Sequence, residues 1–324
     1  MVYSIILILI LFLVTILSLD ISKHPSGIGE NILSFTMTNS MRGIAILAII
    51  LGHISGTMGT VVLTPFGGTG VAIFLFLSGY GLNESYKNYG LKSYWRKKIK
   101  RVFIPYAIVI TCLYVFRHKY DLMSYLLDIT GMKTSYWYIG YLMKWYIAYY
   151  LFTRFLPKYR IYLMLLFSVV ILFLFPNIEA EQAFSFLLGV IVSSHIKYLR
   201  SLSIHNLVVL GVVAFFMGIV FLEIKQMSII RAHETDWIYN VVQCGIKMPL
   251  GIGVMVFVSC ISLLTTSRFL QLTGRISYEL YLVHMPFYGL VQGNLLYALL
   301  LIIASFVIAY VFYEFNNKVS KIIR

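Results

Sequence analysis

Long apolar segments separated by short polar loops recur along the whole chain, which has 324 residues. A helix needs about 20 apolar residues to cross the ~30 Å hydrocarbon core of a bilayer, and many of these segments approach that length. They lie near residues 2–19, 43–57, 69–84, 102–117, 137–156, 160–176, 182–196, 206–222, 247–264, 277–292 and 295–314. The pattern predicts an all-α fold, a polytopic transmembrane helical bundle with about 11 spans.

The composition agrees with a membrane protein, since 60% of the residues are hydrophobic and only 12% are charged. A soluble domain of this length does not need so much apolar surface. The three cysteines, Cys112, Cys244 and Cys260, lie in or beside apolar runs without ligand-like spacing. We therefore expect neither a disulfide framework nor a zinc site, and no metal.

Basic residues orient the predicted spans. The loop at 85–101 carries seven Lys and Arg residues, which places it on the cytoplasmic side. With spans alternating from there, the cytoplasmic segments hold 19 of the 26 basic residues, and the acidic turn Glu179–Glu181 falls outside. The amino terminus is then outside and the carboxyl terminus is cytoplasmic. The net charge of +14 is mostly this topology signal, so we expect no binding of nucleic acid.

Residues 1–19 are apolar and contain no Lys or Arg. A signal peptide has a basic start and a small-residue cleavage site, and this segment has neither. We interpret it as a retained first span, with cleavage as the alternative.

Arg42 and His53 lie in one otherwise apolar segment with ten uncharged residues between them. In a helix, eleven steps of about 100° bring both side chains to one face, roughly 16 Å apart along the axis. Ionisable residues within a span are costly and mark functional sites by default. The alternatives are an arginine that extends to lipid phosphates and a histidine that is packed against a neighbouring helix.

A dense basic run, residues 94–101, leads directly into a predicted span that has Pro105 near its start. Some of these residues are explained as a cytoplasmic anchor, but seven in the loop exceed what orientation requires. Lys and Arg make charge-assisted hydrogen bonds to phosphates, so a polyanionic ligand is the functional alternative. The candidate phosphate-binding residues are Arg96, Lys97, Lys98 and Arg101.

Three further sites contribute polar groups to apolar segments. Ser78 and two glycines interrupt an aromatic run at 74–81, as small residues do where helices pack closely. Glu279, Tyr281 and His284 share one late span, which indicates a polar cavity rather than a lipid-facing surface. Lys144 lies in the middle of a span, where it either lines a substrate cavity or pairs with Glu279.

In these motifs the chain resembles the acyltransferase 3 family of integral membrane O-acyltransferases, over roughly residues 36–315. Arg42 and His53 match the family's Arg-(ten residues)-His signature, and residues 76–79 match a Phe-Leu-Ser-Gly run. The basic stretch ending Lys98-x-x-Arg101-x-x-x-Pro105 follows in the same order. The run Ser277-Tyr-x-x-Tyr-Leu-x-His284-x-Pro286 completes the set, and the Trp-Tyr-Ile at 137–139 fits a weaker habit of the family.

The resemblance implies a core of about ten spans. Residues 1–35 then form an additional amino-terminal transmembrane helix with its connecting loop, and residues 36–324 form the acyltransferase-like membrane domain. Where the family often has Glu-x-Pro, this chain has Glu314-Phe-Asn316, which weakens any role for Glu314.

The resemblance also implies transfer of an acyl group, usually acetyl, from acyl-coenzyme A to a hydroxyl of a glycan or small molecule. The coenzyme A head would rest against Lys98, Arg101 and Arg42, with its arm along the Arg42–His53 face. His53 would act as the general base, because a neutral imidazole is the usual group for this near pH 7. An acyl-enzyme intermediate remains the mechanistic alternative.

Two other function classes compete with this prediction. A transporter or flippase of a lipid-linked glycan also uses many spans with few buried charges, but it consumes no acyl-coenzyme A. A scaffold without chemistry would make the alignment of Arg42 and His53 accidental. The richness in Ile, Lys, Tyr and Asn is typical of an AT-rich bacterial genome, so we expect a bacterial cytoplasmic membrane. The acyl group, the acceptor and the oligomeric state are left open.

Overall fold

The structure is a computed structural model that describes residues 2–20, 32–61, 63–118 and 121–322. Within these ranges every regular element is a helix, which confirms the all-α prediction. The α-helices are α1 (Val2–Leu17), α2 (Phe35–Thr57), α3 (Thr64–Tyr89), α4 (Tyr94–Lys98), α5 (Ile104–Phe116), α6 (Leu122–Ile129), α7 (Trp137–Phe155), α8 (Arg160–Leu174), α9 (Asn177–Ala180), α10 (Ser185–Ser194), α11 (Ile196–Ser201), α12 (Ile204–Gln226), α13 (Ser228–Arg231), α14 (Trp237–Cys260), α15 (Arg268–Arg275), α16 (Ser277–His284) and α17 (Leu295–Ile322). A π-helical turn, Ile99–Phe103, joins α4 to α5.

Among the described residues, seven helices are long and apolar enough to cross a membrane, by length and composition. They are Phe35–Thr57, Thr64–Tyr89, Tyr94–Phe116, Pro157–Leu174, Ile204–Gln226, Trp237–Cys260 and Leu295–Lys321, and Val2–Leu17 is a shorter apolar helix. The membrane-helix character is thus shown, while the count of about eleven spans stays a prediction.

Two of the predicted spans fall on short helices. The apolar run near 182–196 forms α10 with 10 residues, which ends at Ser194. The run near 277–292 forms α16 with 8 residues, which ends ahead of Pro286. At 1.5 Å rise per residue these helices measure only about 12–15 Å, so neither crosses the hydrocarbon core as one continuous helix.

The chain divides into two compact units, and the first consists of Met1–Ser85 and Ile161–Ser277. Its helices approach each other closely at glycines. A Cβ on Gly79 of α3 would lie 2.2 Å from the Phe186 carbonyl oxygen of α10, and one on Gly189 would lie 2.0 Å from the Phe76 carbonyl oxygen. The Phe-Leu-Ser-Gly run is therefore the place where the backbones of α3 and α10 touch.

The amino-terminal helix α1 packs within this first unit. The hydroxyl groups of Ser4 and Thr60 are 3.2 Å apart, and those of Ser18 and Ser267 are 2.6 Å apart. The Arg268 backbone N–H also donates to the Ser18 carbonyl, at 3.0 Å. Helix α1 is therefore attached at both of its ends by hydrogen bonds.

The second unit consists of Tyr86–Arg160 and Tyr278–Arg324, and buried tyrosines form much of its interior. The Tyr136 ring makes edge contacts with Tyr106 and Tyr281, at centroid distances of 5.8 and 6.0 Å. Its hydroxyl donates to the Leu282 carbonyl oxygen at 2.8 Å. A buried tyrosine needs such a partner for its hydroxyl, and here that partner lies on α16.

Replacing Gly79 by alanine tests the close contact between α3 and α10. We expect Gly79→Ala to lower stability by about 1–3 kcal/mol, because the added methyl group meets a backbone carbonyl that cannot rotate away. Gly81→Ala is the matched control, since a Cβ there meets nothing within 4 Å. The control should be neutral or stabilising by up to ~1 kcal/mol, from helix propensity alone. Thermal unfolding of the purified variants in detergent measures both, and equal midpoints would contradict the packing role.

Candidate functional site

Helix α2 carries Arg42 and His53 as one unbroken helix, Phe35–Thr57. Ser34 caps its start by accepting a hydrogen bond from the Met37 N–H, and the following residues are uncharged apart from Arg42 and His53. Both side chains are half-buried. Because no break interrupts the helix between them, the spacing of eleven residues does place the two groups on one face.

The Arg42 end of α2 is fixed against α15. The Asn39 amide donates to the Gln271 carbonyl oxygen at 2.7 Å and to its side-chain oxygen at 2.9 Å. The Gln271 amide in turn donates to the Ser40 hydroxyl at 2.7 Å. A Cβ on Gly43 would lie 2.6 Å from the Leu270 carbonyl oxygen, so the two backbones are in contact one residue beyond Arg42.

The His53 end of α2 is fixed against the start of α3. A Cβ on Gly52 would lie 3.0 Å from the Gly67 Cα atom. Just after His53, the Ser55 hydroxyl donates to the Thr60 carbonyl oxygen at 2.8 Å. Both ends of the Arg42–His53 face are thus held by close packing and hydrogen bonds, which suits a face that must keep a constant geometry.

The basic run at residues 94–101, called the basic segment below, changes from an α-helix to a π-helical turn at Ile99–Phe103. Proline has no N–H and its ring crowds the carbonyl four residues earlier, which for Pro105 is the carbonyl of Arg101. The helix adapts by a wider turn, in which the Ile104 N–H donates to the Ile99 carbonyl oxygen. Such turns are rare and often mark functional sites. The wider turn thus accommodates Pro105, whose ring would otherwise crowd the Arg101 carbonyl.

The four candidate phosphate-binding residues differ in their surroundings. Arg96, Lys97 and Arg101 are exposed, and Lys98 is half-buried. The Lys98 ammonium lies 4.1 Å from the centroid of the Tyr146 ring, and the Lys97 ammonium lies 4.8 Å from that of Tyr89. Contact with a ring face orients a cation but leaves its N–H groups able to bind an anion. The phosphate-binding role of all four residues stays a prediction.

The Ser277–Pro286 motif connects to the basic segment within the second unit. The Tyr278 hydroxyl donates to the Val102 carbonyl oxygen at 2.7 Å, inside the π-helical turn. His284 is fully buried, and its Nδ1 lies 2.8 Å from the Leu280 carbonyl oxygen. Because a carbonyl only accepts, Nδ1 carries the proton and Nε2 is the acceptor in the neutral ring.

Glu279 and Tyr281 are buried as well, with 7% and 4% exposure. The Glu279 carboxylate accepts a hydrogen bond from the Asn316 amide at 3.2 Å. Pairing of Lys144 with Glu279, one of the two alternatives for that lysine, stays a prediction. Asn316 stands where the family often has proline, so the departure from the motif supplies a hydrogen-bond donor. Because asparagine, unlike proline, keeps its backbone N–H, α17 also continues through this position to Ile322.

The remaining predicted residues lie on separate helices. Lys144 is half-buried on α7, and Ser78 is half-buried on α3, next to the glycine that touches α10. The predicted cavity roles of Ser78, Lys144, Glu279, Tyr281 and His284 stay predictions. Arg42, His53 and Ser78 belong to the first unit, and the basic segment, Lys144 and the Glu279–His284 group belong to the second.

Sequence reasoning missed two polar arrangements. Gln271 joins α15 to α2, and Lys247 of α14 forms an ion pair with Glu181. A lysine within an apolar helix was visible in the sequence, but its partner lies 66 positions away in a turn that was interpreted only as an outside loop. Gln271 lies in a polar stretch and carries no sequence signal of its own.

Comparison with known proteins identifies the family of the chain. A family model described as an acyltransferase domain, that of the acyltransferase 3 family, matches residues 38–314. No curated protein and no solved structure matches the chain. The matched range contains Arg42, His53, the basic segment and the Ser277–Pro286 motif, and it covers far more than half of the chain. The chain therefore belongs to the acyltransferase 3 family, which makes it an integral-membrane acyltransferase.

Proposed function

We propose that this protein moves an acetyl group from acetyl-coenzyme A to a hydroxyl of a cell-surface or exported glycan. The single observation that carries the proposal is the continuous face of α2, which presents a half-buried guanidinium and a half-buried imidazole within a candidate membrane span. Ionisable groups at such depth are costly and are usually kept for function. Membership of the acyltransferase 3 family names the class of reaction.

In the proposed reaction, His53 accepts the proton of the acceptor hydroxyl while the hydroxyl oxygen bonds to the thioester carbonyl carbon. The carbon–sulfur bond then breaks, and the coenzyme A thiolate leaves and takes up the proton from the imidazolium. Products are an O-acetyl ester and coenzyme A with a thiol. Catalysis by such a base is typically worth about 10²–10⁴ in rate.

Cationic residues would hold the phosphates of the donor. Arg96 and Arg101 are exposed and offer planar guanidinium groups, which bind phosphate in bidentate geometry. Lys97 and Lys98 add point charges whose positions are limited by tyrosine rings. Acetyl-coenzyme A is the proposed donor substrate, and the proposed acceptor is a glycan or small-molecule hydroxyl.

The proposed setting is a bacterial cytoplasmic membrane with the amino terminus outside and the carboxyl terminus in the cytoplasm. The basic loops support this orientation. A flippase of a lipid-linked glycan is the competing function. It predicts movement of the glycan without release of coenzyme A.

The role of His53 is tested in protein reconstituted in lipid, with labelled acetyl-coenzyme A and a panel of glycans. We expect His53→Ala to lower acceptor-dependent thiol release by about 10²–10⁴, because the general base is removed. His205→Ala is the control, since His205 is an exposed histidine on α12 and should leave the rate unchanged. Wild-type rates in a folded His53→Ala protein would exclude His53 as the base. Glycan transport without thiol release would favour the flippase.

The phosphate-binding role is tested by the affinity for coenzyme A itself. We expect the Arg96→Ala, Arg101→Ala double variant to bind about tenfold or more weakly, because two charge-assisted contacts are lost. Lys87→Ala with Lys92→Ala removes the same charge from exposed positions of the same region and should change affinity little. Titration calorimetry at two salt concentrations measures both. If the two double variants lose affinity equally, the basic residues act only through net charge.

A further inference from the structure

An ion pair between Lys247 and Glu181 lies in the interior of the first unit. Lys247 belongs to α14, which is a candidate membrane span, and only 8% of this residue is exposed. Glu181 follows the short helix α9, and 14% of its side chain is exposed. The proposed reaction assigns no role to either residue.

Such a pair is a poor way to gain stability. Removing two charges from water costs several kcal/mol per ion, and apolar residues of similar volume often do as well or better. Charged residues within spans are therefore rare, and they are usually found where function requires them. The position of the pair indicates what that requirement is.

The pair lies against the first turns of α3. A Cβ on Gly68 would lie 2.5 Å from Lys247 Cε and 2.9 Å from Lys247 Cδ, so the lysine stem crosses the helix at a glycine. The Gln182 amide donates to the Gly68 carbonyl oxygen at 2.9 Å, and the Ser185 hydroxyl donates to the Gln182 side-chain oxygen at 3.1 Å. Lys247 and the turn at 180–185 therefore both contact α3 at Gly68.

The neighbouring residue of α3 carries the contact to the His53 end of α2. A Cβ built on Gly52 would lie 3.0 Å from the Gly67 Cα atom. Gly52 is the residue directly before His53. Anything that moves the start of α3 therefore moves the surface on which this end of α2 packs. Packed backbones without side chains between them leave little room to absorb such a shift.

We propose that the Glu181–Lys247 pair positions His53, by clamping the start of α3 against which the His53 end of α2 rests. The pair touches no reacting atom and is a positioning pair, not a catalytic one. This inference rests on the proposed function for its consequence in catalysis. Its structural part, the coupling of the pair to the surroundings of His53, stands without it.

Diethyl pyrocarbonate, which reacts with neutral imidazoles, reports on His53 independently of activity. The modification rate of each histidine is measured by peptide mass spectrometry in Glu181→Gln, in Lys247→Met and in the charge-reversed double variant Glu181→Lys, Lys247→Glu. We expect the single variants to change the rate at His53 several-fold and the double variant to return it toward that of the wild type. Exposed His205 serves as the internal reference, and Glu234→Gln, which removes an exposed carboxylate, is the matched control.

Thiol release from acetyl-coenzyme A, with water or the glycan panel as acceptor, is measured in the same preparations. The single variants should lose about 10- to 100-fold in turnover number, the size of effect expected from a displacement of about 1 Å, with little change in the KM for acetyl-coenzyme A. Loss of thermal stability with unchanged reactivity of His53 would overturn the inference and leave the pair purely structural. If the wild type releases no thiol but His53 reactivity still follows the pair, the proposed function fails while the positioning role holds.

Discussion

Close contact between helix backbones is the constraint on which the first unit depends. At Gly43 and Gly274 the backbones of α2 and α15 meet, and at Gly79 and Gly189 those of α3 and α10 meet. Association of helices in a bilayer gains little from the hydrophobic effect, so it relies on such contacts and on interhelical hydrogen bonds. Because α2 is held at both ends in this way, Arg42 and His53 keep a constant position relative to each other and to the helices around them.

The same reasoning separates the motifs of this family into two kinds. The Phe-Leu-Ser-Gly run is explained by packing, since a methyl group on Gly79 would meet a backbone carbonyl. The Arg42–His53 pair and the exposed guanidinium groups of Arg96 and Arg101 are of another kind, because their side chains can carry charge or transfer a proton. Chemistry should therefore be sought in the second kind, even though both kinds contribute to the family resemblance.

Several features could be predicted from the sequence because they depend on local pattern. The all-α class follows from the apolar runs, and the shared face of Arg42 and His53 follows from helical periodicity alone. The length of α16 could not be predicted in this way, because apolar residues continue past Pro286 whereas the helix ends at His284. For α10 the difference lies at its start, since the apolar run begins near 182 and the helix begins at Ser185. Apolar character tells which residues avoid water, and it does not tell where a backbone turns.

Contacts between distant positions were the other part that the sequence left open. For Glu279 the structure gives a hydrogen bond from Asn316 on α17, which lies 37 positions further along the chain. In the sequence Asn316 differs from the family pattern only by the loss of a proline. In the structure the same departure supplies the amide that binds Glu279. Lys247 and Glu181 are a second example, because neither position indicates in the sequence that the other is its partner.

The distinction between packing motifs and chemical motifs also bears on the choice of acceptor. Under the proposed reaction, the base and the phosphate-binding cations serve the same steps whichever hydroxyl is acylated. Residues that select the acceptor must then lie mainly outside the shared motifs, on surfaces that these contacts leave unconstrained. A pair such as Glu181 and Lys247 lies between these groups, because it is outside the motifs but is packed against the helix that supports His53. Changes at the pair would alter the packing of α3 on the His53 end of α2, so they are expected to act on the catalytic rate through the position of His53 and not through a contact with either substrate.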